Sequence, residues 1–265
     1  MNDVAAEKWK LRLIDTHAHL QWPAFEKDRE QVIRRAFDAG VQEIVNIGYD
    51  LKASREAVQI AHDNENVYAV VGVHPHNAKT LGEHALAELR ETAQEKKVVA
   101  IGEIGLDYYR NLSPRTVQTE AFEQQISLAK DLGLPVVIHD REAHADILQV
   151  LRRFGKQVTG VMHCFSGSIE MAEEMIGLGY SISIAGPVTF PNARKLHQLV
   201  GKLPEESIVL ETDCPWLSPQ SRRGKRNEPA YIVETARKIA ELRGMSLEDL
   251  VKATSRNAER LLRLR

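Results

Sequence analysis

The sequence has little cysteine and no long apolar run. Its 265 residues include two cysteines, Cys164 and Cys214, which form no C-x-x-C pair. This usage argues against a disulfide-stabilised scaffold and against a thiolate-bound zinc ribbon. No stretch is long and apolar enough to span a membrane, and residues 1–8 lack the apolar centre of a signal peptide. We therefore expect a cytoplasmic protein without a membrane partner.

A large net charge is also missing. The formal charge is −2 at pH 7, which gives no general attraction to nucleic acid, so a polyanion would bind only through a local basic patch. Hydrophobic residues make up 43% of the chain and charged residues 27%, a composition typical of globular proteins. Nothing in the sequence indicates an obligatory protein partner.

What is present is an alternation of apolar strands with amphipathic helices. The predicted strands lie at residues 13–20, 43–48, 67–73, 98–103, 135–139, 160–163, 180–185 and 208–213. Eight such units in about 250 residues predict a closed (β/α)8 TIM barrel, with a doubly wound open sheet as the alternative. We expect a polar N-terminal extension at 1–10, then a single barrel domain at 11–265 with an extra C-terminal helix at 246–262. Ser113, before Pro114, predicts a helix N-cap.

Six of the eight strands finish in an imidazole or a carboxylate. In a barrel the carboxyl ends of all strands lie on one rim, where active sites are found. Histidines that are merely buried in a core or exposed on a surface would not occur so consistently at the carboxyl ends of strands. The groups at these ends are His17, His19, His74, Glu103, His139, His163 and Asp213.

This set of groups suits a pair of divalent ions. It exceeds the needs of one tetrahedral ion but fits two ions that share a bridging carboxylate and a bridging hydroxide nucleophile. We predict that Asp213 also orients the attacking water and accepts its proton. Imidazole and carboxylate ligands without thiolate suit Mg, Mn, Zn, Ni or Co. The predicted ligands are His17, His19 and Asp213 for one ion, His139 and His163 for the other, and Glu103 as the bridge.

Other residues are interpreted as supporting contacts. His74, within Gly-Val-His-Pro on the rim, is predicted to contact a ligand or the substrate. Asp15 and Glu211 each lie two residues before a predicted ligand on the same strand face, so we expect them to orient histidines.

Two loops are candidate substrate contacts. The loop after the fourth strand carries Tyr109 and Arg110, and the loop after the eighth carries Arg226 within a basic stretch at 222–226. Cations and aromatic rings that frame the metals would suit phosphate contacts and base stacking. A solvated loop and core packing are the simpler explanations of these two segments.

Several motifs resemble those of the TatD-related metal-dependent hydrolases. They are DTHAH at 15–19, GVHP at 72–75, GEIGLDYY at 102–109, HCFSG at 163–167, ETDCPWL at 211–217 and RNEP at 226–229, together with His139. The match runs in order from residue 13 to about 262, and every ligand position is filled. The resemblance implies a barrel of the amidohydrolase-type superfamily, a two-metal site at the positions above, and deoxyribonuclease activity in some members.

The sequence therefore predicts a two-metal-dependent hydrolase. We expect a phosphodiesterase that acts as a 3′–5′ exonuclease on the ends of single-stranded DNA or RNA. A two-metal clamp suits attack at phosphorus and a short basic patch suits a small footprint, and neither feature bears on the 3′–5′ polarity. The first alternative is an amide, ester or lactone hydrolase of the amidohydrolase class, which would turn over small neutral substrates. The second is a non-catalytic binding barrel, which full dependence of activity on metal would exclude.

Overall fold

Eight parallel strands and their connecting helices form the observed architecture. The computed structural model describes residues 12–264, so the predicted extension at 1–10 lies outside the described residues. The strands follow one another in the order β1 to β8 within one sheet. They are β1 Leu13–Ala18, β2 Val41–Ile47, β3 Val67–Val71, β4 Val98–Asp107, β5 Val136–Arg141, β6 Gly160–Met162, β7 Tyr180–Ile184 and β8 Ile208–Leu210.

A helix follows each strand, and one more helix ends the described chain. These helices are α1 Arg29–Asp38, α2 Leu51–Asp63, α3 Glu83–Thr92, α4 Arg115–Leu132, α5 His144–Phe154, α6 Ile169–Gly177, α7 Arg194–Lys202, α8 Ile232–Arg243 and α9 Leu247–Leu262. None of the helices within residues 12–264 is long and apolar enough to cross a membrane.

The sheet closes between β1 and the segment that follows β8. Ala18 pairs in parallel with Cys214. The His19 N–H donates to the Cys214 carbonyl at 2.9 Å, and the Asp213 N–H donates to the His17 carbonyl at 2.8 Å. Closure confirms the predicted (β/α)8 barrel and excludes the doubly wound open sheet. The additional helix α9 is the predicted C-terminal helix.

Helix ends follow from a few side chains. The Ser246 hydroxyl accepts the Asp249 N–H at 3.1 Å and caps α9, while Gly133, with φ 65°, ends α4 in the left-handed conformation that glycine tolerates. The prediction for Ser113 was wrong. Pro114 is the N-cap of α4, and the Ser113 hydroxyl instead donates to the His76 carbonyl at 3.0 Å.

The barrel interior changes character along the strands. Its amino half is an apolar cluster to which seven strands contribute, with Ala258 and Leu262 of α9 packed beneath. Asn257 of α9 donates to the carbonyl of Ile208, the first residue of β8, at 2.9 Å, so α9 covers the amino end. On β5 the inward residue Val137 is followed at intervals of two by His139 and Arg141. The carboxyl half is therefore lined by polar groups.

Candidate metal centre

The structure brings the predicted ligands of the first ion together at the carboxyl end of the barrel. The Nε2 atoms of His17 and His19 are 3.0 Å apart. Asp213 Oδ1 lies 3.8 and 3.6 Å from them, and Glu103 Oε2 lies 3.5 and 3.7 Å from them. Ligands at about 2.0–2.1 Å from a tetrahedral zinc ion are separated by about 3.3 Å. His17, His19 and Asp213 are therefore grouped closely enough to hold a divalent cation, and Glu103 Oε2 adjoins both imidazoles.

The hydrogen bond of His19 fixes which nitrogen faces this set. Its Nδ1 lies 2.9 Å from the Ile47 carbonyl oxygen, which only accepts hydrogen bonds. Nδ1 therefore carries the proton, and Nε2 directs its lone pair at the other ligands. A second-nitrogen contact of this kind is typical of metal-binding histidine.

The two predicted ligands of the second ion both face Glu103, and the centres of their rings lie 6.2 Å apart. His139 Nδ1 and His163 Nε2 lie 2.7 and 3.7 Å from Glu103 Oε1. On the far side of each ring a carboxylate accepts the other N–H: Asp107 Oδ2 lies 3.2 Å from His139 Nε2, and Glu211 Oε2 lies 3.0 Å from His163 Nδ1. Each imidazole thus directs one nitrogen towards Glu103 and is oriented by a carboxylate behind it.

Glu103 lies between the two sets. Its Oε2 atom faces His17 and His19, whereas its Oε1 atom faces His139 and His163. Burial opposes the ionisation of Glu103, but its contacts with the imidazoles of His74, His163, His139 and His17 hold its pKa well below the usual range. Glu103 is therefore a carboxylate with one oxygen directed at each candidate ion position.

The surrounding carboxylates favour positive charge at the second position. Burial opposes protonation of His139, but hydrogen bonds to Asp107 and Glu103 raise its pKa to about 9. Burial likewise opposes protonation of His163, and the charges of Glu211 and Glu103 raise its pKa to about 10. Positive charge at this place can be supplied by protons or by a divalent cation, which competes with them for the same nitrogens.

His74 differs from the predicted ligands in its tautomer. Its Nδ1 accepts the backbone N–H of His76 at 3.1 Å, so that nitrogen carries the lone pair. Burial lowers the pKa of His74 to about 4, against the opposing charge of Glu103, and the ring is neutral. The proton is therefore on Nε2, which lies 3.5 Å from Glu103 Oε1. His74 presents a hydrogen-bond donor to the site, whereas a ligand must present a lone pair.

The two carboxylates expected to orient histidines have different contacts. Glu211 contacts the His163 ring as described and also accepts the Cys164 N–H at 2.6 Å. Asp15 accepts the backbone N–H of Thr212 at 2.9 Å and its hydroxyl at 2.6 Å, so it ties β1 to the segment after β8. Burial raises the pKa of Asp15 to about 8. Among the described residues, His17 Nδ1 is buried without a hydrogen-bond partner.

The candidate substrate residues lie in unlike surroundings. Tyr109 is 55% exposed, and the Cζ atoms of Arg141 and Arg110 lie 4.1 and 6.0 Å from the centre of its ring. The Arg226 guanidinium donates twice to the Asp28 carboxylate, both at 2.7 Å, and packs over the Phe25 ring. Arg226 is therefore bound to α1 and its preceding turn, while Tyr109 is open to solvent.

Sequence reasoning missed Arg141, Asp107 and an aromatic wall. Arg141 lies two residues after His139 on β5, so strand alternation could have placed it over the same interior. Asp107 lies at the end of β4, which continues four residues beyond its predicted end at 103. The wall consists of Trp22, Tyr49 and Trp216, and the Trp216 ring lies 5.2 Å from that of His19 and 4.8 Å from that of Trp22. Its members come from three loops, and no periodic pattern links them.

Comparison with known proteins agrees with this geometry. A profile of the TatD related DNase family matches residues 14–263. The chain belongs to this family. It is 43% identical over 253 residues to the metal-dependent hydrolase YabD of Bacillus subtilis, covering 95% of this chain and 99% of that protein. It is 36% identical over 259 residues to the 3′-5′ ssDNA/RNA exonuclease TatD of Erwinia amylovora, covering 95% and 100%.

A solved structure gives the same result. The TatD homologue YJJV of Escherichia coli superposes with a TM-score of 0.91 at 32% identity and covers 96% of this chain and 99% of its own. This TatD-family chain is thus an enzyme, a metal-dependent hydrolase, and its barrel contains groups of histidine and carboxylate side chains able to hold metal.

Proposed function

We propose that this hydrolase binds two divalent ions and removes nucleotides from the 3′ ends of single-stranded DNA or RNA. The observation that carries the proposal is the orientation of Glu103, whose two oxygens face two separate sets of imidazoles. A single ion would need only one of these sets. The proposed ligands are His17, His19 and Asp213 for one ion, His139 and His163 for the other, and Glu103 for both.

Divalent ions held by these residues would supply Lewis acidity and would lower the pKa of a water molecule for attack at phosphorus. Asp213 is the proposed base for that water. Burial opposes its ionisation, but the neighbouring imidazoles of His19, His163 and His17 lower its pKa, so it is a carboxylate that can accept a proton. The neutral His74 directs its Nε2 proton into the site and is suited to donate to a substrate oxygen on which negative charge develops.

The mouth of the barrel favours a nucleic acid substrate. Arg141 stacks on the exposed ring of Tyr109 and has no carboxylate partner among residues 12–264. Across the mouth, Trp216 is 41% exposed beside Trp22. Unpaired cations bind phosphates and exposed aromatic rings stack on bases, and both interactions tolerate any sequence. The polarity of cleavage is proposed from the likeness to the Erwinia amylovora exonuclease.

The test is a substrate panel with metal-loaded protein. We expect a 5′-labelled single strand to be shortened stepwise and a blunt duplex to resist, with all cleavage lost in chelator and restored by Mg, Mn, Zn, Ni or Co. Asp213→Asn should abolish cleavage, whereas Asp38→Asn, an exposed carboxylate on α1, should not change it. Intact strands together with turnover of a small lactone or amide would contradict the proposal.

A further inference from the structure

A second feature lies beside the metal centre, between the carboxyl ends of β6 and β7. A cavity of about 630 Å³ opens there, and we call it the β6–β7 cavity. Its volume falls within the range of cavities that enclose a small ligand. The residues that matter below are Cys164, Phe165, Ala193, Arg194, Lys195 and Leu196.

The cavity begins one residue from a proposed metal ligand. Cys164 lines it and directly follows His163, and the Cys164 N–H donates to Glu211, the carboxylate that orients the His163 ring. The next residue is fixed as well, because the Phe165 N–H donates to the Ser183 carbonyl of β7 at 3.2 Å. The cavity therefore adjoins the proposed metal site. One part of a substrate could occupy the cavity while another part, a few bonds away, lies at the metals.

The lining is apolar and the entrance is cationic. Phe165 is 6% exposed and forms one wall with Leu196 of α7. Arg194 and Lys195, at the start of α7, are exposed at the edge, and neither is paired with a carboxylate in the part of the chain that the structure describes. An apolar slot with unpaired cations at its edge complements a flat heterocycle that carries a phosphate.

We infer that the β6–β7 cavity binds the base of a nucleotide adjoining the scissile phosphate, with Arg194 and Lys195 paired to a neighbouring phosphate. This inference rests on the proposed function and specifies where on the enzyme the substrate strand binds. A small neutral substrate would fill the apolar slot but leave both cations without a partner. The cavity thus explains how an enzyme with little net charge holds the end of a single strand.

The first test combines a substrate that lacks one base with a variant, Ala193→Phe, whose side chain fills the β6–β7 cavity. Short labelled strands carry one abasic residue at the terminal or penultimate position. For the wild type we expect KM to rise about tenfold when the base served by the cavity is missing. In Ala193→Phe the intact strand should show a similar rise, and the abasic change should then add nothing, because the phenyl ring fills the same space.

Gln198→Phe is the matched control. It places the same ring on α7, at an exposed residue that does not line the cavity. Its KM and its response to the abasic residue should equal those of the wild type. An unchanged abasic effect in Ala193→Phe, or the same loss in Gln198→Phe, would overturn the inference.

A binding measurement keeps the inference testable if Ala193→Phe does not fold. Fluorescence anisotropy of a labelled single strand with chelator-treated protein gives the salt dependence of affinity. Log affinity falls as log salt rises, and reversing both charges, Arg194→Glu with Lys195→Glu, should make this negative slope shallower by about two, one for each cation. Lys202→Glu, at the other end of α7, should leave the slope unchanged.

The outcomes separate this inference from the proposed function. A wild type that neither cuts nor binds any single strand would overturn both. A wild type that cuts strands while Ala193→Phe and the charge reversal behave normally would overturn the cavity alone. Loss of lactone or amide turnover in Ala193→Phe, with strand cleavage intact, would assign the cavity to a different substrate and contradict the inference.

Discussion

The two ends of the barrel interior are built from the same strands but have opposite chemistry. At the amino end, Val137, Val161 and Val209 pack with Leu262 of α9 in an apolar cluster. Two residues after each valine, on β5 or just past the ends of β6 and β8, the inward side chains are His139, His163 and Glu211. A displacement of about 7 Å along a strand thus changes the interior from hydrocarbon to titratable groups.

The difference shows a division of work between stability and chemistry. Buried charged groups cost free energy unless they are paired, so a polar cluster contributes little net stability. The apolar end has no such cost and gains from each side chain removed from water. Substitutions at the carboxyl end should therefore affect activity more than folding, and substitutions at the amino end should do the reverse.

The largest expected effect is at Glu103. Glu103→Gln keeps the shape of the side chain but removes the charge that faces both imidazole sets. We expect kcat/KM on a single strand to fall on the order of a thousandfold, or about 4 kcal/mol, with bound metal reduced in elemental analysis. Far-UV circular dichroism should remain that of the wild type. A variant that keeps full metal content and near-normal kcat/KM would contradict the assigned bridge.

The converse effect is expected at the amino end. Leu262 is 2% exposed, and Leu262→Ala should lower the free energy of unfolding by about 3 kcal/mol, because a cavity replaces packed methyl groups. Denaturant unfolding measures this loss. Leu112→Ala, at a side chain that is 57% exposed, is the control and should change stability by less than about 0.5 kcal/mol. At a temperature where Leu262→Ala is fully folded, its kcat should equal that of the wild type. A kcat that falls in proportion to the loss of stability would contradict the separation of stability at the amino end from activity at the carboxyl end.

The sequence predicted the fold because its signals were local. Apolar strands alternate with helices, and a ligand-type residue stands at the end of a strand, so the barrel and the rim of candidate ligands follow from short segments. Contacts that depend on register were not predictable. Asp107 reaches His139 because β4 continues past Glu103 and pairs Gly105 with His139, an arrangement that local alternation does not specify.

Contacts between segments that are distant in the sequence could not be predicted either. Arg226 looks free in the sequence, yet it pairs with Asp28, 198 residues away. Ser113 has the position of a helix cap, but its hydroxyl bonds to the His76 carbonyl. In both cases a local pattern offered a plausible role and tertiary packing supplied another partner.

A smaller effect within the carboxyl end is expected at Asp107. Asp107→Asn weakens the partner of His139 Nε2 while the ligands remain, so metal affinity should fall tenfold to a hundredfold, or about 2 kcal/mol. Competition titration with a chromogenic chelator measures the affinity. Asp140→Asn is the matched control, because Asp140 lies next to His139 on β5 but accepts from His144 on the outside of the barrel. Equal losses in the two variants would mean that the His139 contact has no specific role.

The smallest effect is expected at Arg226, which lies near the mouth but is already paired. Arg35 and Arg226 lower the pKa of Asp28 to about 2, with hydrogen bonds from Arg226 as the main cause, so this pair stabilises the fold above pH 4 and its contribution is lost as the pH falls towards 2. Because the pair is partly exposed, Arg226→Gln should cost less than about 1 kcal/mol in denaturant unfolding at pH 7, and the difference from the wild type should shrink below pH 4. KM for a single strand should change by less than about twofold, since the guanidinium is already bound to the Asp28 carboxylate and the Ala24 carbonyl, whereas Arg141→Gln should raise it several-fold. A large increase in KM for Arg226→Gln without a loss of stability would mean that Asp28 releases Arg226 to the substrate, and the cationic side of the mouth would then extend to the loop after β8.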